Sequence, residues 1–314
     1  MKILITGGLG HIGSKLIRCL PKNFKNCEIT IIDNIVSERY CSLFNLKNKK
    51  YKFYKFDITQ NYEKLSRIIR KNKIIIHLAA VSHANKSNKD PHSTFDHSFR
   101  TLENTLDYAK KNKTHTIYMS SSMVYGNFDS EDVKEERPCK PIGIYGTLKY
   151  SGELLVKAYS DVFDLPYTII RPSALYGERC VSRRVGQIFI ENAIQNLDIS
   201  INGNGEEKLD FTYIDDLING ISLCCNNKNA INQTFNLTYG KSKKINELIE
   251  ILKIEFPKIG ISYKEREKFM PERGTLDISK AKKLIGYNPT NPIDTGYIKY
   301  ISWYKKFWSN LKRD

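Results

Sequence analysis

The chain has 314 residues, 40% hydrophobic and 27% charged, with a formal net charge of +16. That length admits one large domain or two closely joined ones with a real core, and no apolar run approaches the length needed to span a bilayer. The seven cysteines form no CxxC pair, no zinc spacing and no disulfide framework, so reduced, cytosolic thiols are expected.

The strong positive charge suits either a nucleic-acid surface or attraction to small anions. The basic residues are scattered, without long blocks or regular aromatic interleaving, as a solvated basic surface would have them. The opening "MKILITGG" enters a strand at once. It lacks the long apolar stretch and small-residue cleavage site of a signal peptide, so none is expected.

In chain order, "KILIT" is followed by a glycine turn and the helix-like "GSKLIRCL". Next come "EITIID", "YKFYKFDI", "YEKLSRIIRK", "KIIIHLAA", "TFDHSFRTLENTLDYAKK", "HTIYMSS", "YGTLKYSGELLVKAYSDVF" and "YTIIRPS". Short Ile-rich runs alternating with longer amphipathic segments predict βαβ units and a parallel sheet covered on both faces. The pattern holds to about residue 172 and then loosens. "RVGQIFIENAIQN" reads as a helix, "DISINGNGEE" as a strand and turn, and "LDFTYIDDLINGISLCC" as a strand entering a helix. "KKINELIEILKIEF" and "NPIDTGYIKYISWYKKFW" read as later helices. The expected fold is α/β: a Rossmann-type doubly wound parallel sheet over residues 1–172. A smaller α+β portion over 173–314 binds substrate, with some segments returning to the first domain.

The glycine turn carries chemistry. Gly7, Gly10 and Gly13 fall at three-residue spacing between a strand and a helix, with His11 and Ile12 inside the turn. Without side chains the backbone can approach a pyrophosphate, and the helix aims N–H groups at its charge. Asp33 ends the next strand, twenty residues past Gly13, where an acid bonds both adenosine ribose hydroxyls. A carboxylate there repels a 2′-phosphate, which favours NAD over NADP. Asp57, ending "KFD", is placed to reach the adenine edge.

Tyr145 and Lys149 lie four apart, on one face of a helix. A free phenol, with a pKa of about 10, is a poor base at neutral pH; a nearby ammonium favours the phenolate. Tyr145 can then take a proton from a sugar hydroxyl as hydride leaves the same carbon, while Lys149 also holds the nicotinamide ribose. Ser120, Ser121 and Ser122 begin at the C-terminal end of the fifth strand, where ligands collect in open α/β sheets.

Taken together, these residues resemble the extended short-chain dehydrogenases/reductases, of the nucleotide-sugar epimerase and dehydratase branch (UDP-glucose 4-epimerase-like). The resemblance covers nearly the whole chain. It rests on TGGLGHIG (6–13), Asp33-Asn34, HLAA (77–80), Ser87 and Pro91, SSSMVYG (120–126), YGTLK (145–149), RPSALYG (171–177), DFTYIDD (210–216) and RGTLDISKAKKLIGYNP (273–289). It implies a Ser121–Tyr145–Lys149 triad and a tightly held NAD recycled in each turnover. It also implies cofactor contacts at Asn34, Ile58 and Ala79, and a homodimer formed through helices at roughly 94–112 and 146–163. On the substrate side it implies Ser122, Met123, Arg183 and Arg273, the last on a diphosphate.

Dehydratases of this kind often carry an acidic pair or a glutamate directly after the catalytic Thr; the glutamate position is Met123 in this chain, preceded by Ser122. A thioether has no transferable proton, which favours 4-epimerisation over 4,6-dehydration; 4-dehydrogenation and reduction stay open. Ala174 replaces an asparagine of the family pattern, and Leu209 an arginine before Asp210. Neighbouring strand residues face opposite ways, which makes Lys208 an imperfect substitute, while Arg184 beside Arg183 is a further candidate. The six histidines, His83 among them, show no metal spacing. Cys139 has no evident base beside it, so a reactive thiol is not expected. An RNA-binding protein on a dinucleotide fold is the reading from another class, and the Ser121, Tyr145 and Lys149 set argues against it.

Overall fold

The computed structural model describes residues 1–46, 51–60, 62–82, 84–129, 132–180, 182–266 and 270–308; His83 lies outside them. Among these, seven strands form one parallel sheet: β1 (Lys2–Thr6), β2 (Glu28–Asp33), β3 (Tyr51–Lys55), β4 (Ile74–His77), β5 (His115–Met119), β6 (Tyr167–Arg171) and β7 (Gln233–Asn236). Their spatial order is β7-β6-β5-β4-β1-β2-β3.

The sequence explains why this sheet is the middle layer. Side chains alternate across a strand, and here both faces are apolar. Ile3, Ile5, Ile29, Ile31, Ile74 and Ile76 pack into one cluster. Leu4, Ile32, Ile75 and Ile169 pack into another on the opposite face. Burying one such side chain stabilises by roughly 1.5–3 kcal/mol, so a one-residue slip of register would misplace the whole set. Ile5 faces Ile31, and Ile76 faces Ile117.

Chain order reverses between β1 and β4, which lie side by side. Connections leave these two strands in opposite directions and open a crevice at their C-terminal ends. Helix α1 (His11–Asn23) starts there, two residues before the expected "GSKLIRCL", and carries Pro21 in its last turn. Helix α2 (Gly143–Phe163) also starts before its apolar pattern does; the Ile144 amide donates to Asn88 Oδ1 at 3.0 Å.

The segment expected as one helix at 94–111 begins earlier and is broken in type. Pro91–Phe95 is α-helical, Asp96–Arg100 makes a π turn, and Thr101–Ala109 resumes the α-helix. Asp90 starts it by accepting from the Ser93 amide at 3.0 Å, a side-chain cap.

In the second half, Val185–Ile194 forms helix α3, with further helices at Ile214–Asn226, Ile245–Glu255 and Ile293–Trp308. Tyr176, Tyr213, Tyr297 and Tyr300 meet there edge to face or tilted, a favourable aromatic geometry. Asp210 pins two passing segments, accepting from Thr238 Oγ1 and the Gly240 amide on one and the Leu276 amide on the other. Burial pushes its carboxyl up to about 6 against those hydrogen bonds.

Candidate functional site

Two clefts meet at the C-terminal side of the sheet. The first, of about 370 Å³, lies over the β1–β4 crevice. Gly7, Gly10, His11, Ile12 and Gly13 line its floor. Two of these glycines are dictated by space. A Cβ on Gly7, whose φ is +62°, would stand 2.7 Å from the Ala79 backbone, and one on Gly13 2.4 Å from the Gly8 carbonyl oxygen. The turn therefore closes against both the end of β4 and its own start, its Gly7, Gly8 and Gly10 amides bonded to backbone carbonyls, and hands the chain to the first turn of α1 at the cleft.

Asp33 and Asn34 line the same cleft from the end of β2, Asp57 and Ile58 from beyond β3, and Ala79 from the end of β4. Asp33 accepts from the Leu9 amide at 3.0 Å and the Ile35 amide at 2.8 Å, so it also braces the glycine turn. Asp57 sits below the usual carboxylate range although burial opposes this, because Thr59 and Asn34 donate to it. His11 Nε2 meets the Glu178 carbonyl at 3.1 Å, while its buried Nδ1 has no partner among the described residues. Burial, with the Arg184 charge, brings its pKa down to about 3, so the ring is neutral. A narrow glycine floor, an unused ring nitrogen and acids at the far end fit a dinucleotide, with the pyrophosphate over the turn and a ribose at Asp33.

Arg39 lines this cleft as well, within electrostatic reach of Asp33. Sequence reasoning passed it over; its position just past the second strand, near the acid, was the available signal.

The second cleft, of about 690 Å³, lies within the second half, between α3 and the segments at 200–211 and 270–273. Arg273, Arg266, Lys208 and Leu209 line it, as do Ala174 and Arg184. Lys208 and Leu209 both reach this cleft despite their adjacency. Arg183 stands at the rim, 69% exposed, with Nη1 3.5 Å from Glu191. Arg184 lines both clefts.

Ser121 and Tyr145 come together because α2 carries Gly146. A Cβ there would lie 2.8 Å from the Met123 carbonyl oxygen. The loop after β5 thus packs directly on the helix backbone. Ser121 Oγ accepts from the Met123 amide at 3.2 Å and lies close enough to the Tyr145 phenol to favour its ionised form. Burial raises the Tyr145 pKa, opposed by the Arg184 charge and the Ser121 hydrogen bond. Ser122 and Met123 are buried, and neither they nor Ser121, Tyr145 and Lys149 line the two clefts.

Lys149 sits one turn on, buried, with Nζ donating to the Met119 carbonyl at 2.7 Å. Burial brings its ammonium down to about 8, with Glu153 opposing. Between about 8 and the ordinary 10.5 the unfolded lysine holds a proton that the folded one has lost. Lys149 therefore makes stability rise with pH across that window. Lys149→Met is expected to remove the rise and to be at least as stable as the native chain at pH 7. Thermal midpoints of both proteins from pH 7 to 10.5 check this; a variant clearly less stable at pH 7 contradicts it.

Beneath the site lies a buried ionic network that sequence reasoning missed. Arg171 bonds Glu153 twice, Nη2 to Oε2 at 2.6 Å and Nε to Oε1 at 2.9 Å, with both side chains almost fully buried. Arg171 Nη1 donates to the Tyr125 hydroxyl, and that hydroxyl donates to Asn236 Oδ1 at 2.8 Å. The β5 loop, α2, β6 and β7 are joined through it.

Among the described residues no three His, Cys, Asp or Glu side chains gather in a way that could hold a metal ion, and no helix is long and apolar enough to cross a membrane.

Comparison with known proteins agrees with this geometry. Residues 3–238 match the model of the NAD dependent epimerase/dehydratase family. A UDP-glucuronate 4-epimerase of Thermodesulfobacterium geofontis is 30% identical over 317 residues, covering 96% of each chain. A human dTDP-D-glucose 4,6-dehydratase is 29% identical over 328 residues, covering 99% of this chain and 90% of that one. The crystal structure of a Bacillus cereus UDP-glucuronic acid 4-epimerase, solved with UDP-glucuronic acid and NAD, superposes with a TM-score of 0.92 at 29% identity, over 98% of this chain and 100% of that one. A dinucleotide cleft at the sheet crossover, a Ser–Tyr pair beside it and a whole-chain match to such enzymes have one reading: the chain belongs to the NAD dependent epimerase/dehydratase family.

Proposed function

We propose that this protein is an NAD-dependent nucleotide-sugar 4-epimerase. The observation that carries the reading is the meeting of Ser121 and Tyr145 where the loop after β5 packs on α2 at Gly146, followed by Met123 where a dehydratase needs an acid. When bound, NAD would supply a hydride acceptor able to return the hydride to C4 of the sugar. Tyr145 accepts the C4 hydroxyl proton at its phenolic oxygen and later returns it; Ser121 steadies the reacting oxygen with its hydroxyl. Lys149 orients the cofactor ribose and supports ionisation of the phenol. Neither step requires a second acid, so a methionine at 123 is no obstacle.

Arg273 and the basic second cleft support a substrate with a diphosphate, because a guanidinium fork suits two phosphate oxygens. Exposed Phe95, Leu154, Val162 and Phe163 on the helices at 91–109 and 143–163 support a homodimer through those helices. Seven free thiols support a reducing, cytosolic setting.

The test is a panel of UDP- and dTDP-sugars incubated with protein whose bound dinucleotide has been identified by mass spectrometry. The expected result is C4 epimer without net NADH. Net NADH means a dehydrogenase, and a 4-keto-6-deoxy product means a dehydratase; either replaces the epimerase reading.

A further inference from the structure

Arg184 is the one residue named above that borders both clefts. It precedes the first residue of α3 in extended conformation (φ −78°, ψ 160°). Its Nε is buried and has no hydrogen-bond partner among the described residues. A buried N–H donor without a partner is costly, and one on a permanent cation more so.

The surroundings do not compensate the charge. Arg184 acts electrostatically on His11 in the glycine turn, on Tyr145 and on Arg273. His11 is neutral, and Arg273 is another cation, brought down to about 10 by burial and by Arg184 and Arg266. Of these cations, Arg266 has an acid beside it, Glu272 at 3.5 Å. Two guanidinium groups held close in a cleft, one with an unused donor, make a site that an anion completes.

The place of that anion follows from the three neighbours. Arg184 acts on both Arg273, the diphosphate candidate, and Tyr145, which marks the reacting carbon, so an anion at Arg184 belongs to the sugar end of the substrate. The substituted positions agree: Ala174 and Leu209 line the same cleft and provide no polar atom of their own side chains.

We propose that Arg184 is a specificity-determining residue that binds an anionic oxygen centre of the substrate at the joint between the two clefts. That centre is either the sugar-proximal phosphate or a carboxylate on the sugar. The inference rests on the nucleotide-sugar reading above, and it is not carried by the epimerase assignment.

The experiment is calorimetric titration of the NAD-loaded protein with UDP, UDP-glucose and UDP-glucuronate, or their dTDP counterparts if the panel selects thymidine. Native protein, Arg184→Ala, Arg184→Lys and the exposed control Arg67→Ala are compared. Arg184→Ala is expected to weaken binding about tenfold or more, with Arg184→Lys recovering part of it and Arg67→Ala unchanged. An equal loss on all three ligands assigns the phosphate; a loss confined to UDP-glucuronate assigns the carboxylate. Native-like affinity of Arg184→Ala for all three, or a loss confined to NAD retention, overturns the proposal. If the native protein binds no nucleotide sugar at all, the functional reading falls first and this one with it.

Discussion

Tyr145→Phe is expected to lower turnover of the nucleotide sugar by about a thousandfold while NAD stays bound. General base catalysis contributes roughly 10²–10⁴-fold, and the substitution removes only the proton-carrying oxygen. The ring remains to pack beside Ser121, and the glycine turn and Asp33 that support cofactor binding are untouched. Co-purified dinucleotide and steady-state rates on the accepted sugar measure the two effects separately. Turnover within tenfold of native would remove Tyr145 from the chemistry. Loss of bound dinucleotide would instead make it a structural residue.

The second large effect is expected on stability. Glu153→Ala leaves the Arg171 guanidinium, 3% exposed, without its partner. Breaking a buried ion pair from one side costs about 3–5 kcal/mol, a large part of a typical folding free energy. The loss also frees Ser120 Oγ, which donates to Glu153 Oε1, and removes the carboxylate that favours the Lys149 ammonium. The denaturation midpoint should fall steeply, and any folded fraction should show reduced kcat. The double variant Glu153→Leu with Arg171→Met should recover much of the stability without the activity, because two apolar groups leave no buried charge. A Glu153→Ala protein of native stability would show that the network is dispensable.

What the sequence made legible was whatever has a local signature. The alternation of Ile-rich runs gave the sheet because period two on both faces leaves no other packing. The glycine spacing followed by Asp33 marked the dinucleotide cleft because both lie on consecutive strand ends. Tyr145 and Lys149 were readable as a pair because helical geometry relates positions four apart.

What depends on long-range packing was not legible. That Lys149 holds the Met119 carbonyl, and that Arg184 acts on Tyr145, comes from folding together residues 30 positions apart in the first case and 39 in the second. Arg183 and Arg184 are chemically equal in the sequence. The structure turns one to the rim beside Glu191 and the other to the joint of the clefts. The Arg171–Glu153 pair was hidden for a related reason: an arginine closing a strand and a glutamate on a helix look like surface charges until both are covered. The π turn at Asp96–Arg100 has no composition signal, since it arises where an extra residue is accommodated within a helix.

Strand β7 is drawn from residues 233–236 yet pairs with β6, formed by 167–171. Asn236 at its end also donates to the Val133 and Asp277 carbonyls. During synthesis the sheet would therefore wait, with one border open, until some sixty further residues had been made. A ribosome-bound chain would carry a bare, Ile-rich ladder of amides and carbonyls through that interval, the kind of edge that recruits other strands. The late arrival of this strand ties completion of the sheet begun by the first half of the chain to the making of the second half.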